Sequence, residues 1–85
     1  MKHYYAGHNG YGINVSFLCG AYGWSVKRFD NKSDRNSWVD QYLCNDNGNV
    51  VSQALTRAQA TIILGAGEWV DFDGWLINKK NDPRG

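Results

Sequence analysis

Eighty-five residues, 42% of them hydrophobic and 20% charged, with a formal charge of +1, suffice for one small domain and leave no material for a second core. This balance excludes a disordered chain. It also excludes the field of a strongly basic nucleic-acid binder and the acidic surface of a DNA mimic.

Taken in chain order, Lys2 to Gly7 reads as a strand, with Tyr4 and Tyr5 favouring the extended state and Gly7 as punctuation. His8 to Gly12 is a turn cluster. Ile13, Val15 and Phe17 alternate with Asn14 and Ser16, the period of a half-buried strand. Cys19 to Gly23 closes a hairpin, and Trp24 to Phe29 is its return strand, with a bulge or twist expected near Lys27-Arg28. Asn31 or Ser33 caps a helix that runs to about Leu43. Asp34 suits its first turn, Trp38, Val39, Tyr42 and Leu43 form its apolar stripe, and Arg35 and Asp40 are left for the wet face.

Asn45 to Gly48 makes a turn, and Val50 to Leu55 a short strand. Thr56 and Gln59 form a capping box for a second helix, which ends at Leu64 against Gly65 and is held by Ile62 and Ile63. Glu68–Phe72 and Trp75–Asn78 flank Asp73-Gly74, the pair that a type I′ hairpin turn favours. The fold class is therefore α+β, an antiparallel sheet of about four to five strands with two short helices packed on one face. Residues 1–79 form the domain, and 80–85 a charged, frayed tail. Trp38 and Trp69 are expected in the core, and Trp24 and Trp75 fit either core or surface.

Cys19 and Cys44 are too few for a disulfide framework, the opening Met1 to Tyr5 lacks an apolar leader core, and no apolar run approaches the ~20 residues of a membrane span. A cytoplasmic protein without membrane contact is the expectation. His3, His8, Cys19 and Cys44 match no metal module, so neither metal nor cofactor is expected. A Cys19–His8 pair is the one nucleophilic option, and Glu68 with Asp71 the one acid–base option. Gly7, Gly10 and Gly12 precede no helix and read as turn glycines.

Lys27 and Arg28 lie beside Trp24 and Phe29, with tyrosines near, a mixture that suits either single-stranded nucleic acid or a protein interface. Tyr5, Tyr11, Tyr22, Lys27 and Arg28 are the candidate binding residues. Core packing is the commoner fate of a strand tyrosine such as Tyr5.

Trp24-Ser-Val-Lys-Arg-Phe29-Asp30, then Asp34-Arg35-x-x-Trp38-Val39, then Ala54-Leu55-Thr56-Arg57-Ala58-Gln59-Ala60 resemble a pattern of short phage and mobile-element proteins. Ala60-x-x-x-Leu64-x-x-Gly67-Glu68-Trp69-Val70 is similar to the helix–G-E-W–strand ending of some type I anti-CRISPR inhibitors. The resemblance implies a non-enzymatic protein that inhibits a bacterial defence (Cas) complex stoichiometrically, in the cytoplasm of a bacterial host. At +1, the chain departs from the acidic members, which mimic DNA. The alternative is a small nucleic-acid-binding accessory domain using sheet aromatics with Lys27 and Arg28. A homodimer through an exposed strand edge is a further option.

Overall fold

A computed structural model describes residues 2–13 and 23–84. Strands β1 (Tyr4–Asn9) and β2 (Trp24–Phe29) pair antiparallel, with Tyr4 opposite Phe29 and Asn9 opposite Trp24. On the other side, β1 pairs with β3 (Ser52–Leu55), which puts Tyr5 opposite Leu55. β1 is thus the central strand of a three-stranded sheet. Helices α1 (Lys32–Gln41) and α2 (Arg57–Leu64) precede and follow β3. Strands β4 (Trp69–Phe72) and β5 (Trp75–Asn78) form a separate hairpin. The class is α+β, but the five strands divide three and two where one continuous sheet was expected.

Alternation along β1 sorts the interior into two layers. Tyr5, Gly7 and Asn9 share a face with their opposite numbers Val26, Trp24 and Leu55. Against it pack Ala60 and Ile63 of α2, Leu76 of β5, and the partly buried Leu64 and Trp69. Ala6 and His8 point the other way, where Trp38 of α1 lies 6.3 Å from the His8 ring and 6.1 Å from Phe29. The helices therefore cover opposite faces of the sheet, which corrects the expectation that both lie on one.

Gly7 does not end the strand but sits in its middle, paired on both sides. A Cβ there would lie 2.8 Å from Leu55 Cδ1 and 3.0 Å from a Trp24 ring carbon. The bare backbone lets these two side chains close over β1.

Local signals fix the ends of the elements. Asn31 caps α1 by accepting from the Asp34 N–H at 2.8 Å. Both hydrogen bonds of the Thr56/Gln59 capping box form, at 3.1 and 2.9 Å. Asp73 and Gly74 both have positive φ, 57° and 85°, as a type I′ turn requires. α1 stops at Gln41, short of Leu43, and Tyr42 and Leu43 are exposed. The side chain that α1 buries most is Arg35, which was expected on the wet face. Arg35 stands three residues before Trp38 and four before Val39, so the 3.6-residue period places all three on one side. Ile63 is in the core while Ile62 is 48% exposed. Trp24 is buried in the core, and Trp38, Trp69 and Trp75 are half-buried.

The strand expected from Ile13 falls mostly on residues 14–22, outside the described residues, as do Tyr22 and Cys19. Beyond β5, Lys79–Asn81 form a 3₁₀ turn, and Arg84 Nη2 donates to the Asp71 carbonyl at 3.0 Å. Among the described residues, no helix is long and apolar enough to cross a membrane.

Gly7→Ala is expected to destabilise the domain by about 1–3 kcal/mol through overpacking. Urea unfolding measures this, and a variant as stable as the parent would contradict the close approach described.

Candidate functional site: a cationic groove between two helix starts

At one end of the sheet β1 begins, β3 ends, and both helices begin. A groove of about 640 Å³ opens there, lined by Lys2, His3, Tyr4, Tyr5, Lys32, Arg35, Leu55, Thr56 and Arg57. Four of the chain's nine Lys and Arg residues line it, and none of its lining residues is a carboxylate. Lys32 and Arg57 are the first residues of α1 and α2, so the positive ends of both helix dipoles add to the same field. The exposed Asp30 carboxylate adjoins the groove, its Oδ1 3.5 Å from Nδ1 of the lining residue His3 without a hydrogen bond.

Tyr5 positions both arginines. Arg35 Nη1 donates to the Tyr5 carbonyl at 3.3 Å, and Arg57 Nη1 donates to the Tyr5 hydroxyl at 2.8 Å. Arg35 Nε also donates to Asn36 Oδ1 at 2.7 Å, and its guanidinium lies 5.7 Å from the Tyr4 ring centre. Arg57 lies 4.0 Å over Trp69 and 5.8 Å from the centre of Tyr5. Lys2 Nζ is 5.6 Å from the Tyr4 centre. In both arginines Nη2 has no partner among the described residues, so each keeps a donor for a ligand while its plane is fixed. Such forks suit carboxylate or phosphate oxygens.

The residues singled out in the sequence fare differently. Tyr5 is 4% exposed, a core ring whose polar atoms serve the groove from beneath. Tyr11 is 67% exposed, on the turn after β1 and away from the groove. Tyr22 lies outside the described residues. Lys27 donates to the Gly74 carbonyl at 2.7 Å and lies over Trp75, tying the hairpin to β2. Arg28 is half-buried opposite Tyr5 on β2. The four described ones do not form one surface.

The sequence held one signal for the groove. An acid is favoured in the first helical turn, by about 0.3–1 kcal/mol, and a cation is disfavoured there. Both helices of this chain nevertheless begin with a cation, and α2 has no acid in its first turn.

The other chemical options separate. Glu68 pairs with Lys79 at 3.1 Å, whereas Asp71 accepts from the Gly74 N–H at 2.9 Å, so the two carboxylates serve different contacts. Among the described residues, no three His, Cys, Asp or Glu side chains gather as metal ligands. His8 is bonded through Nδ1, and Cys19, its expected nucleophilic partner, lies outside the described residues. The His8 Nδ1 lies 2.9 Å from Ser52 Oγ, and Ser52 Oγ lies 2.7 Å from the Tyr42 carbonyl. A carbonyl only accepts, so the single serine hydrogen goes to Tyr42, and Ser52 must accept from His8 Nδ1–H. Burial lowers the His8 pKa from 6.5. Compared with protein families, with curated proteins and with solved structures, the chain matches none.

His8 binds fewer protons folded than unfolded between its lowered pKa and about 6.5, so stability is lost as the pH is lowered through that window. His8→Asn keeps an N–H donor toward Ser52 and removes the titration. The parent's melting temperature should therefore drop further than the variant's between about pH 7.5 and about pH 5.5. Parallel decline of the two would contradict the lowered pKa.

Proposed function

We propose that this chain is a non-enzymatic binding protein that occupies an acidic surface of another protein through its cationic groove. The observation that carries this reading is the gathering of Lys2, Lys32, Arg35 and Arg57 around one cavity with no lining carboxylate, in a chain whose net charge is only +1. Local charge concentrated in a cleft steers an oppositely charged partner. The resemblance to phage and mobile-element inhibitors names the class of partner, a bacterial defence complex such as CRISPR–Cas. Inhibition would then follow from occupancy, with no bond made or broken.

Contact with nucleic acid uses the same field. The disposition of the rings favours a protein. Lys2 and Arg35 lie against Tyr4, and Arg57 lies over Tyr5 and Trp69. Rings occupied by the chain's own cations are poor platforms for stacking bases, and stacking carries much of the affinity for single strands.

Lys2→Glu with Lys32→Glu tests the proposal without loss of the fold. Both side chains are exposed, and an acid at the first position of α1 complements the helix dipole. The double variant is expected to be at least as stable as the parent in thermal unfolding. It should retain a defence-complex subunit from a phage-sensitive host about tenfold less well or worse, and lose its effect on phage plating. If the parent captures no such subunit, or the variant captures it equally, the reading fails. Tighter binding of a single-stranded oligonucleotide than of the protein subunit would transfer the groove to the nucleic-acid reading.

A further inference from the structure

On the sheet face away from the core, β1, β5 and the C-terminal end of α1 border an open cavity of about 310 Å³, lined by His8, Trp38, Tyr42 and Trp75. We propose that this aromatic cage binds a protonated primary amine, the ammonium end of a lysine side chain on a protein partner.

The angles between the walls exclude a flat ligand. Trp38 stands at 81° to Trp75 and 77° to His8. Tyr42 is tilted 42° from Trp38, and His8 is tilted 44° from Trp75. A nucleobase or a guanidinium stacks best between parallel walls, and none of these pairs is parallel. Trp38 meets His8 and Trp75 edge to face, and the ring faces left open to the cavity attract a compact cation. At about 310 Å³ the space is at the small end for ligand cavities.

His8 adds direction. Its Nδ1–H is committed to Ser52, whose own hydrogen is committed to the Tyr42 carbonyl. The neutral ring is thereby held as the tautomer with a lone pair on Nε2, which lies on the ring of a residue lining the cage. A primary ammonium carries N–H donors that match this lone pair. A quaternary ammonium has none. Burial disfavours the imidazolium, which would repel a cation. The nearby Lys27 Nζ sits 5.5 Å over Trp75 and is directed to the Gly74 carbonyl at 2.7 Å. That ring therefore already holds one ammonium of the chain, and an incoming amine is left Trp38, Tyr42 and Nε2.

The test is an NMR titration with n-butylammonium chloride at constant ionic strength and about pH 7.5, where an imidazole with a lowered pKa stays neutral. Saturable shifts are expected at the His8 ring and at the Trp38 and Trp75 indole N–H groups, with a dissociation constant on the order of millimolar. Tetramethylammonium, butylguanidinium and adenosine should each bind several-fold more weakly. Tyr42 is 46% exposed, and only its backbone oxygen serves Ser52, so its ring can be removed from a folded chain. Tyr42→Leu should weaken butylammonium binding about three- to tenfold, and Tyr42→Phe should leave it unchanged. Absence of saturable shifts, equal or tighter binding of any of the three comparison ligands, or parental affinity in Tyr42→Leu would each overturn the assignment. The groove's acidic partner takes no part in this titration.

Discussion

The two polar ends of Tyr5 hold the groove in shape. Its ring is buried in the core, 5.7 Å from and almost perpendicular to that of Trp69. Its backbone carbonyl receives Arg35 from α1, and its hydroxyl receives Arg57 from α2. The two helices lie on opposite faces of the sheet, so a residue of the central strand is where both can be reached. A phenol fixed by close packing cannot drift, and the guanidinium it orients is fixed with it. The core thus positions the surface, and the same residue belongs to both.

Two features work against stability at this end of the molecule. Each helix begins with a cation where the dipole favours an anion. Arg35 is buried, with three of its sides used by a carbonyl, an amide oxygen and the Tyr4 ring. Caps offset part of the cost, through Asn31 on α1 and the reciprocal Thr56/Gln59 bonds on α2. Like charges held near one another in a small domain are otherwise unfavourable, and a ligand that neutralises them relieves the repulsion. The opposite face has a different chemistry. There the rings of Trp38, Tyr42 and Trp75 meet His8, whose imidazolium burial disfavours, and Lys27 is the cation at that patch, over Trp75. Cations at the groove and π faces at the cage lie toward opposite ends of α1, and a ten-residue helix is about 15 Å long.

Signals that act within a few residues were legible in the sequence. Asp73-Gly74 specified its turn because both positions need positive φ. Thr56 and Gln59 specified a helix start because each completes the other's hydrogen bond, and Gly65 ends that helix with φ 87°. What depends on distant partners was not legible. Gly7 resembles a terminator until Trp24 and Leu55 are seen to need its missing side chain. Arg35 resembles a wet-face residue until Tyr4 and the Tyr5 carbonyl are placed beneath it. The division of the strands into three and two leaves no local trace, because β4 and β5 satisfy each other through a tight turn. The groove draws on residues 2–5, on Lys32 and Arg35, and on residues 55–57, which no sequence window brings together. Tyrosines and the Lys27-Arg28 pair stood out by type, yet Lys27 is committed to the Gly74 carbonyl and Tyr5 to the core.

The central claim is that anionic side chains are recognised where the two helices begin. Mapping backbone and arginine side-chain NMR shifts during titration with a short poly-glutamate peptide tests it most directly. Perturbations are expected to centre on Lys2, Lys32, Arg35 and Arg57 and to collapse at about 0.5 M salt, where charges are screened within a few ångströms. Perturbations centred on Lys27, Arg28 or Tyr11, or insensitive to salt, would contradict it.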